Sequence, residues 1–203
     1  MQDQHKKLIV GLIVSISVGI GIAWAGAQWV KQHPEDYTTS ASLLPKGGDF
    51  ALDTATGAIH LSDFKDKVVV LYFGYTACPD VCPTSMATIK QAFNQLTPEQ
   101  LQQVQGLLVS IDPERDTLDQ VNRYAQYFHP NIRGASAQPD ELVKITRQYD
   151  AFFSKVPMPN SALVYMMDHT SSIYVIDKLG KVRSLIEHAV PPVELADAIR
   201  ALL

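Results

Sequence analysis

The sequence predicts an α/β domain with a mixed central sheet flanked by helices, preceded by one N-terminal transmembrane helix. Three patterns indicate this: a long uncharged run near the N-terminus, buried strands alternating with helical segments, and a late hairpin before a closing helix. The chain has 203 residues, of which 46% are hydrophobic and 19% charged. This composition is typical of a globular protein that buries a core.

Residues 8–30 carry no charged side chain and would form a helix roughly 34 Å long, against a hydrocarbon core of ~30 Å. Lys6 and Lys7 precede this span. The positive-inside rule therefore predicts a cytoplasmic tail at residues 1–7 and a domain on the other side of the membrane. A cleaved signal peptide is the alternative and places the domain on the same side. We expect a single-pass protein of the cell inner membrane with a periplasmic domain.

Residues 31–47 show no apolar period and are predicted as a linker, so the domain is expected to cover residues 48–203. Residues 49–61 have the pattern of a short hairpin. Val68–Tyr75 is a nearly continuous apolar run, which suits a strand buried on both faces of a sheet. Thr84–Leu96 follows with apolar residues on one helical face.

The second half alternates in the same way. Its predicted elements are strand 104–111, helices 118–128 and 140–149, strands 161–168, 172–176 and 182–186, and helix 192–203. Strands 161–168 and 172–176 are expected to pair as a hairpin. This order favours a thioredoxin-like arrangement, whose reactive loop lies between the first long strand and the first helix, here Gly74–Pro83.

Cys78 and Cys82 are the only cysteines, and both lie in that loop. A structural disulfide is the simplest interpretation, but it would contribute only about 2 kcal/mol for so short a loop, against ~4.7 kcal/mol for a 100-residue loop. A helix N-terminus instead stabilises thiolates, which are nucleophiles and soft-metal ligands. Two sulfurs can bind Cu(I) or contribute to a zinc site, and one imidazole would complete a trigonal site.

Six histidines could supply that imidazole, and spacing alone does not select among them. They are His5, His33, His60, His129, His169 and His188. His169 stands at the tip of the predicted hairpin, and the adjacent Asp168 is a candidate acceptor that could orient its ring. For any single histidine, a surface or core side chain without metal remains the alternative.

Three segments, Gly74–Thr84, Asp112–Thr117 and Asp168–Tyr174, together resemble the Sco/SenC family. The resemblance runs from about residue 48 to the C-terminus, and the three-residue cysteine spacing flanked by prolines is its most specific feature. Thr170 stands where the family usually has serine after the histidine.

This resemblance implies one copper ion per chain, as Cu(I) or Cu(II), with Cys78, Cys82 and His169 as ligands. It also implies a metallochaperone that delivers copper to, or prepares the thiols of, the binuclear copper site of cytochrome c oxidase subunit II, or that serves another copper-receiving protein. A monomer is the default expectation.

Two other functions suit the same fold. A thiol–disulfide oxidoreductase would use Cys78 and Cys82 as its redox-active pair, so whether the chain is an enzyme stays open. A peroxidase would need one activated cysteine, which the paired cysteines and prolines fit poorly. Nucleic-acid binding is disfavoured, because the net charge is −4 and no basic run is present.

A charged turn follows the second long strand. Asp112, Arg115 and Asp116 are expected to form a local arginine–aspartate pair, with partner docking as the alternative. The carboxyl end of that strand should lie beside the reactive loop, because neighbouring parallel strands end at one edge of a sheet.

Overall fold

A computed structural model of the protein describes residues 44–159, 161 and 163–203. The tail predicted at residues 1–7, the span predicted at 8–30 and the linker up to residue 43 lie outside these residues. In the described part of the chain, no helix has both the length and the apolar character needed to cross a membrane.

The domain contains nine strands and five α-helices among the described residues, with one short 3₁₀ helix at Leu61–Phe64. The strands are β1 (Ala51–Thr54), β2 (Gly57–His60), β3 (Val68–Gly74), β4 (Val104–Ser110), β5 (Ile132–Ala135), β6 (Phe153–Pro157), β7 (Tyr165–His169), β8 (Ile173–Ile176) and β9 (Val182–Ile186). The helices are α1 (Val81–Phe93), α2 (Pro98–Gln102), α3 (Leu118–Phe128), α4 (Pro139–Gln148) and α5 (Pro192–Arg200).

The central sheet has five strands in the order β5-β4-β3-β8-β9. β3, β4 and β5 run parallel, whereas β8 and β9 are antiparallel to their neighbours. All seven residues of β3 are buried, as its uninterrupted apolar run predicts. The predicted α/β class with a mixed central sheet is therefore confirmed.

Helices cover both faces of this sheet. Successive residues of β3 point to opposite sides, and all of them are buried, so both faces need cover. Phe73 packs edge-on against Tyr149, at the end of α4, with ring centroids 6.2 Å apart. On the other face, α1 packs against both α3 and α5. Gly134 permits the close approach of α3 to β5, since a Cβ there would lie 2.4 Å from backbone atoms of Val121.

The predicted hairpin between residues 161–168 and 172–176 is wrong. β7 pairs instead with β6, while β8 lies between β3 and β9. β6 was not predicted, because four of its five residues are exposed and it includes Lys155 and Pro157. A strand shows alternating apolar and polar residues when one of its faces is buried, and β6 lacks such a face.

The first and last helices also differ from the prediction at their ends. α1 begins at Val81 rather than Thr84, so Cys82 and Pro83 lie in its first turn. Proline is tolerated there because the first backbone N–H groups have no partner within the helix. α5 ends at Arg200, three residues before the predicted end. β5, which is short and contains Gly134, was not predicted.

His129 illustrates how the core constrains a titratable group. Its ring packs edge-on against Phe93 at 5.3 Å between centroids, and its Nδ1 accepts a hydrogen bond from the Asn131 N–H at 3.1 Å. Burial, with a smaller effect of the Lys90 charge, lowers the pKa of His129 below its ordinary value of 6.5. Folding therefore disfavours protonation of this ring.

We expect His129 to make the metal-free, reduced protein less stable in mild acid. The unfolded chain takes up the proton first, so stability is complete above the unfolded pKa and is lost as the pH falls toward the lower folded value. The free energy of unfolding should fall more between about pH 7 and pH 5 than it does for His129→Gln, by about 1.4 kcal/mol for each unit by which folding lowers the pKa. Denaturant unfolding at both pH values measures the difference, and equal pH dependence in the two proteins would contradict the prediction.

Candidate metal centre

The register of the central sheet brings distant parts of the chain to one edge. β3 and β4 end together, with Gly74 opposite Ser110. β8 runs antiparallel to β3 and begins with Ile173 near Tyr72, so it starts at the edge where β3 ends. The reactive loop leaves this edge from β3, and the segment that carries His169 enters β8 at the same place.

The three predicted ligands come together at this edge. The ligand atoms of Cys78, Cys82 and His169 all lie within 4.8 Å of one another. Cys82 Sγ lies 3.5 Å from His169 Nε2, although the two residues are 87 positions apart. Cys82 is buried, whereas Cys78 and His169 are half-buried. Of the other histidines, His60, His129 and His188 lie outside this cluster, and His5 and His33 precede the described residues.

The sulfur of Cys78 accepts a hydrogen bond from the first turn of α1. The backbone N–H of Cys82 points at Cys78 Sγ at 3.4 Å. The side chain of Asp80, which immediately precedes the helix, makes no capping hydrogen bond. A sulfur thus takes the place that a serine or aspartate oxygen usually has, and the partial positive charge of the helix N-terminus favours its thiolate form.

The two thiols differ in protonation. Hydrogen bonding from Cys82 holds the pKa of Cys78 well below its usual range, although burial opposes this. His169 and the backbone N–H groups of Cys82 and Asp80 lower it further. The hydrogen bond to Cys78, followed by burial, raises the pKa of Cys82. The pair therefore retains one proton on Cys82, and Cys78 is the thiolate.

A backbone carbonyl orients the imidazole of His169. Nδ1 lies 2.8 Å from the Thr170 carbonyl oxygen, which can only accept, so Nδ1 donates to it and Nε2 faces Cys82. The rings of Tyr72 and Tyr75 pack edge-on against this imidazole, at 6.2 and 5.9 Å between centroids. Thr170, and not the candidate acceptor Asp168, therefore orients the ring, and no sequence pattern marks a backbone carbonyl for this task.

Asp116 fixes the loop that leads to Cys78. This buried carboxylate accepts hydrogen bonds from the Thr76 N–H at 2.9 Å, the Thr76 hydroxyl at 2.5 Å and the Ser110 hydroxyl at 2.6 Å. It therefore ties the start of the reactive loop to the end of β4. Sequence reasoning placed Asp116 in a charged turn and missed this role.

Arg115 anchors the ribbon that ends in His169. Its Nε pairs with the buried Asp112 at 2.5 Å, so the predicted local arginine–aspartate pair is present. A second nitrogen donates to the carbonyl oxygens of Leu163 and Tyr165, at 3.2 and 2.9 Å. The guanidinium also stacks 3.7 Å from the centre of the Tyr165 ring, whose hydroxyl donates to Asp112. These contacts hold the start of β7 and so limit the motion of His169 at its end.

The donor set suits a soft metal ion. Two sulfurs and one imidazole nitrogen favour Cu(I), whereas Mg²⁺ or Ca²⁺ would require oxygen ligands. A structural zinc site would need a fourth ligand, and the cluster found among the described residues has three. The same two sulfurs can also exchange with a partner's disulfide.

Comparisons with known proteins agree in pointing to one family. The model of the SCO1/SenC family matches residues 38–203. The mitochondrial protein SCO2 homolog of Bos taurus is 31% identical over 206 residues, covering 98% of this chain and 77% of the relative.

Two solved structures share the fold of this domain. Apo Sco1 from Thermus thermophilus is 37% identical with a TM-score of 0.71, over 79% of this chain and 94% of that one. Copper-bound ScoI from Bradyrhizobium japonicum is 33% identical with a TM-score of 0.66, over 77% of this chain and 99% of that one.

We predict that Cys78 reacts as a thiolate over the whole neutral range. Its rate of alkylation by iodoacetamide should be nearly independent of pH from about pH 5 to pH 8, whereas an unperturbed thiol has a pKa of about 8.5. In Cys82→Ala the apparent pKa of Cys78 should rise, because its largest stabilising hydrogen bond is lost. Mass spectrometry identifies the modified residue. A parent rate that climbs about tenfold per pH unit through neutrality, as for an ordinary thiol, would contradict this assignment.

We also predict that Arg115→Lys loosens the β6–β7 ribbon. Lysine keeps the charge but loses the forked contacts, at a cost of about 1.5–3 kcal/mol for a hydrogen bond to a charged group. Amide hydrogen exchange within β7 should accelerate. Lys144→Ala is the control, because it removes an exposed ion pair with Glu141 on α4. If amide hydrogen exchange in β7 is no faster in Arg115→Lys than in this control, the ribbon does not depend on the contacts of Arg115.

Proposed function

Because this chain belongs to the SCO1/SenC family, we propose that it is a metallochaperone that binds copper for the assembly of cytochrome c oxidase. Its target would be the binuclear copper site of subunit II, to which it delivers copper or whose thiols it prepares. The observation that carries the proposal is the convergence of Cys78, Cys82 and His169, whose ligand atoms lie within 4.8 Å of one another.

The ligand chemistry supports one copper ion per chain. Cys78 and Cys82 would bind as thiolates and His169 through Nε2, which together complete a trigonal site. Thiolates favour Cu(I), and the imidazole also suits Cu(II). Copper-bound ScoI from Bradyrhizobium japonicum, at 33% identity, supports the choice of metal.

The burial of the ligands favours transfer over permanent storage. Cys78 and His169 are half-buried, so a donor atom of the receiving protein could reach the ion from their side. Cys82 is buried beneath them and would hold the ion while the outer ligands exchange. The site needs no hydrolysis or redox turnover for this exchange.

A thiol–disulfide oxidoreductase is the second candidate, and the low pKa of Cys78 is the observation that favours it. The Cys78 thiolate would attack a target disulfide to form a mixed disulfide and release one target thiolate. Cys82 would then lose its proton, attack Cys78 and release the second target thiol. The target gains two electrons, and the chain's own cysteines become a disulfide.

We further propose that the chain is a single-pass protein of the cell inner membrane with its domain on the periplasmic side. The uncharged residues 8–30 and the preceding Lys6 and Lys7 support this orientation. Such an anchor would keep the copper site near a membrane-bound target.

Competition titration tests the copper proposal. The reduced, metal-free full-length chain should bind one Cu(I) against a competing chelator. Cys78→Ser and Cys82→Ser should lose tight binding, and His169→Ala should weaken it. His60→Ala is the matched control, because His60 is exposed and lies outside the cluster. Its affinity should equal that of the parent.

The outcomes separate the alternatives. A parent that binds no copper but reduces a test disulfide would remove the metallochaperone function and leave the oxidoreductase. Tight binding that His169→Ala does not weaken would retain copper but exclude His169 as a ligand.

A transfer experiment separates delivery from thiol preparation. The loaded full-length chain should pass copper to the reduced, metal-free copper domain of subunit II, and His169→Ala should transfer less. If the chain only prepares thiols, the reduced domain should gain no copper. The disulfide form of that domain should then be reduced equally well by the parent and by His169→Ala.

A further inference from the structure

Tyr72 has a buried hydroxyl for which the described residues offer no hydrogen-bond partner. It lies in the middle of β3, and its side chain is completely buried. Buried polar atoms are nearly always paired, so an unpaired hydroxyl requires an explanation. A partner that appears only in a second state of the protein would provide one.

The Tyr72 ring lies beside the sulfur of Cys82. Both groups border Gly74, where a Cβ atom would lie 2.9 Å from Tyr72 Cε1 and 3.2 Å from Cys82 Sγ. The same ring packs edge-on against His169 at 6.2 Å between centroids. Tyr72 therefore lies next to two of the three proposed ligands, on the protein side of the site.

The hydroxyl remains a hydrogen-bond donor. Burial, and to a lesser degree the proximity of Cys82, raises the pKa of Tyr72 well above its ordinary value. Ser85, one turn after Cys82 on α1, is also buried, and its hydroxyl lies 3.2 Å from His188 Nδ1. Ser85 and Cys82 are the polar side chains beside the Tyr72 hydroxyl.

We infer that Tyr72 is a positioning residue for copper, whose hydroxyl donates a hydrogen bond to the Cys82 thiolate once that thiolate ligates the ion. This inference rests on the proposed function. The hydroxyl, which has no hydrogen-bond partner among the described residues, would then gain one. A copper-bound Cys82 thiolate would be an anionic acceptor, and charge-assisted hydrogen bonds to such acceptors are strong.

Such a bond has two consequences. It fixes the direction of the Cys82 sulfur, as partners of metal ligands generally do. It also withdraws electron density from the sulfur, and hydrogen bonds to a metal-bound thiolate tune the properties of the ion. Tyr72 would therefore favour Cu(I) over Cu(II) at this site.

The test uses the full-length chain with Tyr72→Phe, which removes only the hydroxyl. Cu(I) affinity should fall about tenfold, the lower end of the range for groups that support metal ligands. The sulfur-to-Cu(II) charge-transfer band should move to lower energy, since the sulfur becomes a stronger electron donor. The metal-free variant should unfold no more easily than the parent, because it loses no hydrogen bond.

Tyr174→Phe is the matched control. Tyr174 is also buried, but it packs on Phe73, on the opposite face of the sheet from Tyr72. The Tyr174→Phe substitution should leave the copper affinity and the charge-transfer band unchanged. Tyr72→Phe with the affinity and band of this control would overturn the inference, whereas a parent that binds no copper would overturn the proposed function itself.

A measurement on the unaltered protein guards against misfolding of the variant. Cu(I) is diamagnetic, so proton NMR can follow the Tyr72 hydroxyl. Its exchange with water should slow sharply on Cu(I) loading, because the proton becomes held between oxygen and sulfur. Unchanged exchange on loading would also overturn the inference.

Discussion

The antiparallel pairing of β8 with β3 is the constraint on which the site depends. It makes β8 begin where β3 ends, with Ile173 near Tyr72. The chain must therefore reach that edge just before residue 173, and this brings His169 to a loop 87 positions earlier. A parallel β8 would start at the opposite edge of the sheet, far from the cysteines. The pairing thus joins the sulfurs and the imidazole without any contact local in sequence.

Local interactions then refine what the pairing brings together. The start of α1 orients Cys78 as the acceptor of the Cys82 N–H, and Gly74 leaves room for the Cys82 sulfur. Asp116 holds the loop before Cys78, and Arg115 holds the ribbon before His169. Each proposed ligand is therefore supported by its own partners. Preorganisation of this kind lowers the cost of ordering the ligands when an ion binds.

Sequence patterns predicted the parts of the molecule whose environment repeats along the chain. The buried β3 and the amphipathic α3 have periods that reflect one buried face, and both were predicted at nearly the observed bounds. β6 was missed because it has no buried face, and the pairing of β7 was wrong as a result. The cysteine pair was evident from its spacing. His169 needed a family resemblance, because β3–β8 register is a property of the whole sheet and leaves no local signal.

X-ray absorption at the copper edge of the reduced, Cu(I)-loaded full-length chain would identify the proposed ligands, because it counts the atoms bound to the ion. We expect two sulfur neighbours and one imidazole nitrogen in the parent, and loss of the nitrogen but of neither sulfur in His169→Ala. A copper environment of sulfur alone that His169→Ala leaves unchanged, or one without sulfur, would exclude a site formed by Cys78, Cys82 and His169.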